Sequence, residues 1–158
     1  MLEAKSQMDI RAAVSSEADK LSAIAFAAKA HWGYSTEALQ SWAGELQISA
    51  ADVATKPAYV GVINGDIVGF YCLRPSAQVW DLEHLWVTPQ RIRQGIGRTL
   101  LVHALEVARR GGAVSVTTDA DPNAAAFYLS QGAIRRGDVP APIPGDSNRV
   151  RPQFVLFS

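Results

Sequence analysis

Two groups of residues near the middle of the chain have the types and spacing to do chemistry. The first is the loop Gln90-Arg91-Ile92-Arg93-Gln94-Gly95-Ile96-Gly97-Arg98-Thr99, which combines two glycines with three arginines. It stands between a strand-like run and a helical pattern, so free amide N–H groups and the helix dipole both favour an anion such as phosphate. The second group is Asp81 and Glu83, within the strand-like residues 78–87. Alternation along a strand places Val79, Asp81, Glu83, Leu85 and Val87 on one face and Trp80, Leu82, His84 and Trp86 on the other. Neither face is wholly polar, which predicts a central strand covered on both sides. A carboxylate in such a strand needs a partner, a water or a chemical task.

Several other chemistries are not supported by the sequence. A dinucleotide-binding loop needs a third glycine where this chain has Leu100, and a P-loop needs a Gly-Lys pair, which is absent. His31, His84 and His103 have no metal-ligand spacing, so no metal is expected. No serine sits in a nucleophile elbow. His84 points away from the two acids and reads as a core histidine. The single cysteine, Cys72, lies in an apolar run and reads as a buried thiol. One thiol suits a reducing compartment, and the amino terminus shows no signal peptide, so a cytoplasmic location is expected.

Positioning these groups requires a mixed set of elements. Residues 8–14 read as a short strand. Ser16 opens a capping box with Asp19 in the glutamate position, and Leu21, Ile24, Ala25 and Ala28 continue a helix to about Ala30. Trp32 and Tyr34 lie in the connection before Ser35, where they suit both core packing and the lining of a substrate pocket. Ser35 caps a second helix with Leu39, Trp42, Ala43 and Leu46 on one face. Residues 58–63 and 66–73 flank Asn64-Gly65, a two-residue hairpin signal.

Beyond the loop, Ile96, Leu100, Leu101, Ala104, Leu105, Val107 and Ala108 form the apolar face of a helix over 96–110, closed by Gly111-Gly112. Residues 113–118 form a strand, so 79–118 is a right-handed βαβ crossover with a parallel pair inside a mixed sheet. Asp121 caps and Pro122 opens a further helix over about 123–131. Residues 133–139 are a strand, 140–150 a mobile loop, and 151–157 a last strand that Pro152 assigns to an edge.

The chain has 158 residues, 48% hydrophobic and 19% charged, enough for one domain with a real core. Fifteen basic and fifteen acidic residues give zero formal net charge, which argues against bulk binding to nucleic acid or anionic lipid. No run approaches the ~18 apolar residues of a membrane span.

The segment LWVTPQRIRQGIGRTLL resembles the coenzyme A loop of the GCN5-related N-acetyltransferases (GNAT), whose pattern is Arg/Gln-x-x-Gly-x-Gly/Ala. Here it falls on Ile92-Arg93-Gln94-Gly95-Ile96-Gly97, with Ile92 where the family has Arg or Gln. DPNAAAFYLSQGA resembles the second cofactor segment of that family, and the order of elements agrees along the whole chain. The resemblance implies one acyltransferase domain over 1–158. Its fold would be mixed α/β: a mostly antiparallel sheet of about seven strands with a parallel central pair, four helices, and acetyl-CoA in a central splay. Cofactor contacts would come from Leu85, Trp86, Val87, Ile92, Arg93, Gln94, Gly95, Ile96, Gly97, Arg98, Thr99, Asn123, Phe127 and Tyr128. For Asn123, a bond to the pantetheine arm and a cap on its own helix stay open as alternatives.

Acetyl transfer needs a neutral amine, a donor to the thioester oxygen and a proton for the leaving thiolate. A lysine amine has a pKa of about 10.4 and an α-amine about 8, so a base helps. The resemblance assigns that role to Glu83 or Asp81, with Glu83 favoured for its reach. It assigns the oxygen donor to a backbone amide near Leu85–Val87, and thiolate protonation to Tyr128. Trp32, Tyr34 and Glu83 would meet the acceptor, a small-molecule or peptide amine, and family members often form homodimers. Asp138 or Asp146 suits recognition of a positively charged amine, whereas Arg135, Arg136 and Arg149 suit an acidic acceptor. A module that binds acyl-CoA without transfer and a nucleotide-binding α/β domain are the rival readings.

Overall fold

The structure, a computed structural model, describes residues 7–157. The sequence reading of residues 1–6 lies outside these. Seven strands form one sheet in the order β1-β2-β3-β4-β5-β7-β6. Strands β1 (Asp9–Ala12), β2 (Ala58–Ile63), β3 (Asp66–Arg74) and β4 (Val79–Val87) are antiparallel neighbours. β5 (Ser115–Asp119) runs parallel to β4, and β7 (Val150–Phe157) lies antiparallel between β5 and β6 (Ile134–Pro140). Asn64 and Gly65 take φ of 50° and 84°, the left-handed turn that their sequence predicts.

Helices cover both faces. Alternation along β3 sends Phe70 and Cys72 to one side and Tyr71 and Leu73 to the other. On the first side α1 (Ala18–His31) packs Leu21, Ile24 and Ala25, and α3 (Ala50–Thr55) adds Val53. On the second, α4 (Ile96–Arg110) lays Ile96, Leu100, Leu101, Ala104 and Ala108 over Tyr71, Leu73, Trp80 and Leu82. α5 (Ala125–Ser130) joins that cluster through Tyr128, whose ring stacks on Phe154 at 5.7 Å.

Five α-helices are described rather than the four expected. The second, α2 (Thr36–Ser41), is capped by Ser35 but stops early, because Trp42 leaves it to meet the Tyr34 ring edge-on at 4.7 Å. The extra helix is α3, capped by the Ser49 hydroxyl, which accepts from Asp52 N at 3.0 Å. At the start of α1 the Ser16–Asp19 box is not made. A short 3-10 turn at Ser15–Glu17 leads in, and Glu17 accepts from Val14 N at 2.9 Å while holding Arg11.

Three further expectations change. β4 does not alternate strictly: Cys72 faces His84 and Leu73 faces Leu82, leaving Glu83 unpaired in a bulge. A bulge reverses the pleat, so Trp80 and Leu82 share a core with Leu85 and Val87, whereas Trp86 packs on the α1 side. Asp81 and Glu83 therefore do not project together by simple alternation. Pro152 is not on an edge, since β7 is paired on both sides. It sits one residue past the last β5 pair, Asp119 with Gln153, where its carbonyl accepts from Ala120 N at 2.9 Å. Its missing N–H falls on that same side, beyond the end of the ladder. Residues 140–150 form a closed hairpin end, crossed by the Ile143–Asp146 bridge and by mutual backbone bonds between Ile143 and Asp146.

Gly69 marks a close approach of β3 to its surroundings. A Cβ there would stand 2.8 Å from the Trp86 carbonyl oxygen and 2.9 Å from Leu100 Cδ1. Gly69→Ala should therefore destabilise the protein by about 1–3 kcal/mol through overpacking, read as a lower urea midpoint. An unchanged midpoint would contradict this packing.

Candidate functional site

The site begins where the sheet opens. The β4–β5 ladder has three residue pairs, Val79–Ser115, Trp80–Val116 and Asp81–Thr117. The Thr118 hydroxyl donates to the Leu82 carbonyl at 3.0 Å and closes the vertex. From there β4 continues to Val87 paired with β3 alone, while β5 ends at Asp119. β5 stops because Asp121 and Pro122 start a 3-10 turn into α5, with the Asp121 carboxylate accepting from Asn123 N at 2.8 Å. One edge of residues 83–87 thus faces a gap, with its outward N–H and C=O groups available to a ligand.

Two cavities flank that edge. One, of about 680 Å³, lies along the start of α4. Leu85, Trp86, Val87, Ile92, Arg93, Gly95, Ile96, Gly97, Arg98, Asn123, Phe127 and Tyr128 all line it, so the structure brings together both sequence segments singled out above. Gln94 and Thr99 do not: Gln94 is exposed, and the Thr99 hydroxyl donates to the Gly95 carbonyl at 2.9 Å. Arg93 and Gly95 take φ of 62° and 79°, coiling the loop tightly before the helix. No side chain caps α4, which leaves its first amides and its dipole directed at the cavity mouth. Among the described residues Arg91, Arg93 and Arg98 form no ion pair. An uncapped helix start with unpaired arginines fits a pyrophosphate, and the apolar wall of Val87, Ile96 and Phe127 fits an extended organic arm.

The second cavity, of about 620 Å³, holds the acids. Asp81, Glu83, His84 and Glu45 line it, and it shares Trp32, Leu85, Trp86, Ala124 and Tyr128 with the first. Asp81 has a 3.5 Å contact with Arg74, and burial pushes its carboxyl above the ordinary aspartate value. Glu83, turned by the bulge, pairs with Lys56 Nζ at 3.0 Å, and Lys56 also reaches Asp52 at 3.5 Å. His84 is not directed away from the acids as alternation predicts. Its Nδ1 accepts from the Trp86 indole at 3.1 Å, which assigns the proton to Nε2, and burial pushes its pKa down. A neutral ring with Nε2 protonated and Nδ1 engaged has no free base. Tyr128 stands at the junction of the cavities, and burial pushes its phenol up to about 12, so it keeps its proton through the neutral range.

Trp32 lines both cavities, with its ring 5.9 Å from Trp86. Tyr34 lines neither. Its hydroxyl donates to Asp121 at 2.8 Å and accepts from Arg149 at 2.9 Å and Asn123 at 3.1 Å. Asp121 also pairs with Lys29 at 2.5 Å and Arg149 at 3.1 Å, and Lys29 lies over the Trp42 ring at 4.3 Å. Trp42 takes the cavity-lining place expected of Tyr34. Asn123 thus does not cap its helix; Asp121 does, and the Asn123 amide joins the network. Asp138 is taken up by Arg135 at 2.5 Å. The sequence reading missed Lys29, although it stands at i+8 from Leu21 and i+4 from Ala25 on the buried face of α1. A lysine in that stripe calls for a buried acid.

Lys29 and Arg149 are 8% and 7% exposed, so Asp121→Asn would leave two buried cations without a counter-charge. The expected cost is about 3–5 kcal/mol, measured by urea unfolding. A variant as stable as the parent would show that the network carries no such load.

The family model for the acetyltransferase (GNAT) family matches residues 17–133. No curated protein matches the chain in sequence. The fold is similar to PaiA N-acetyltransferase of Thermoplasma acidophilum, solved with coenzyme A (TM-score 0.78, 16% identity, covering 96% of this chain and 99% of that one). It is similar to a GCN5-related N-acetyltransferase of Rhodopseudomonas palustris (TM-score 0.76, 22% identity, 100% and 99% covered). YncA of Salmonella typhimurium, solved with acetyl-CoA, also shares it (TM-score 0.70, 20% identity, 96% and 94% covered). With the splayed sheet and the match over most of its length, the chain belongs to the GNAT family of acetyltransferases.

Proposed function

We propose that the protein moves the acetyl group of acetyl-CoA onto the amine of a small molecule or an exposed peptide, with both substrates bound at once. One observation carries this reading: two cavities of different character meet at the unpaired edge of β4, beside Tyr128. The cavity at the helix start suits the donor, and the acid-lined one suits the amine.

Acetyl-CoA in the gap would supply an activated acetyl carbon, which gains a bond to nitrogen as its bond to sulfur breaks. The amides opening α4 hold the pyrophosphate, with Arg91, Arg93 and Arg98 adding charge; Ile92 adds apolar surface only. A backbone N–H of Leu85–Val87 donates to the thioester oxygen as negative charge develops there. Glu83, two residues past the last pair of the parallel ladder, takes the amine proton directly or through a water, and its ion pair with Lys56 fixes its direction. Asp81 stands behind it as a second proton acceptor. Tyr128 gives its proton to the departing sulfur. A phenol held at about 12 is a weaker acid than a free one, so this transfer must accompany cleavage of the C–S bond. Trp32 guides the acceptor; Tyr34 acts only through the network that holds the wall.

No described helix is long and apolar enough to cross a membrane. A single cysteine cannot form an internal disulfide, and on that ground we place the protein in a reducing compartment, the cytoplasm.

Coenzyme A release with a panel of amines tests the assignment. Glu83→Gln and Tyr128→Phe should each lower kcat by about 10²–10⁴-fold, the usual weight of a positioned acid or base, with little change in the KM for acetyl-CoA. Full turnover in both variants would remove these roles. Stabilisation by acetyl-CoA without turnover on any amine would favour a binding module. The pH profile separates the acids. If Asp81 is the base, the acid limb of kcat/KM lies above the ordinary aspartate value of about 3.9 and vanishes in Asp81→Asn. If Glu83 is the base, the limb survives that substitution.

A further inference from the structure

We propose that the acceptor carries a carboxylate close to its amine, as a free amino acid does, and that Lys29, Arg149 and Arg151 form the wall that receives it. This rests on the transferase reading of the same cleft and names its substrate class.

The wall carries a charge imbalance. Lys29, Arg149 and Arg151 all line the acid-bearing cavity. Lys29 and Arg149 share one carboxylate, that of Asp121, at 2.5 and 3.1 Å. Arg151 Nη2 donates to the main-chain oxygen of Asp119, whose carboxylate accepts instead from Gln153 Nε2 at 3.1 Å. Among the described residues no other acid comes within ion-pair distance of the three cations. Within ion-pair distance three positive charges thus meet one negative charge, and for the buried Lys29 and Arg149 an uncompensated charge is costly. The cations also act on one another: burial and the charges of Arg149 and Arg151 all hold the Lys29 pKa down, against the pull of Asp121.

Hydrogen bonding repeats the pattern. The Nε–H of Arg149 and of Arg151 are both buried and without an acceptor among the described residues. Buried donors are ordinarily satisfied, so two on neighbouring guanidinium groups mark a wall that lacks an acceptor-rich partner. A carboxylate matches the planar fork of a guanidinium and brings the missing negative charge.

The remainder of the cavity agrees with a bipolar ligand. Asp81 and Glu83 come from β4, while the cations come from α1 and β7 or the residue before it. An ammonium group drawn towards the acids and a carboxylate drawn towards the cations place the acceptor nitrogen on the side of the open β4 edge. Trp32, Trp42 and Trp86 supply apolar surface for the remainder of the molecule. An internal peptide residue or a plain alkylamine has no carboxylate to offer this wall.

Binding to the full chain saturated with coenzyme A, by thermal shift and calorimetry, tests the proposal with free L-amino acids and the carboxamides of the same acids. At least one acid should bind 10-fold or more tightly than its amide. Arg151→Gln should abolish that preference without weakening the amide or coenzyme A, and Arg151→Lys, which keeps the charge, should retain most of it. Amides binding as tightly as acids, no acid binding at all, or a preference untouched by Arg151→Gln overturns the proposal. Transfer to plain amines with no carboxylate preference overturns it while leaving the transferase reading intact. Carboxylate-selective binding without coenzyme A release supports this wall and removes the transferase reading instead.

Discussion

Three residue pairs hold β4 to β5, and the site depends on their being so few. In a continued sheet, the polar groups of residues 83–87 would be spent on a neighbouring strand. Here the ladder ends at Asp81–Thr117, and the turn that starts α5 draws the chain away. The open edge is stable because a ligand or water can satisfy its groups and because β3 holds the other side of β4 throughout. α4 then starts beside the same gap and turns its uncapped amides towards it. The feature that weakens the sheet also creates a slot with an uncapped helix start at one end and the open β4 edge in its middle.

The far side of the slot is held by charge. Asp121 joins the end of α1, the connection after it, the start of α5 and the approach to β7 through Lys29, Tyr34, Asn123 and Arg149. Charges this deeply buried are a poor source of net stability, because desolvation offsets most of the attraction. Their value lies in geometry: breaking any member strands the others, so four separate segments keep one arrangement around the cleft. The bulge at Glu83 does similar work on β4, sending one acid towards Lys56 and leaving Asp81 at the vertex.

Much of this was legible in the sequence, for identifiable reasons. The hairpin at Asn64-Gly65, the long helix over 96–110 and the parallel crossover rest on local signals: turn chemistry, helical spacing and strand order. The loop at 92–97 could be read because glycine placement directly constrains the backbone. The bulge could not, since a register shift depends on the partner strand and leaves no mark in β4 itself. α3 was missed because six residues give too little periodicity, although Ser49 is a serviceable cap. The network joins residues 92 and 28 positions apart, so no window of sequence contains it. The type of Tyr34 suits packing and pocket lining alike, and only the structure separates them: its hydroxyl is spent on Asp121 and Arg149, and Trp42 lines the cavity instead.

On the proposed function the two cavities act together: the acceptor attacks while the donor is still bound, and no side chain carries the acetyl group between them. Cys72, the one thiol, is buried, and its pKa is pushed up to about 12, which leaves it a poor nucleophile. Initial-rate kinetics with acetyl-CoA and acceptor varied together measure this directly. Double-reciprocal lines that intersect are the predicted result, as for a ternary complex. Parallel lines, with acetyl-protein trapped in the absence of acceptor, would contradict it.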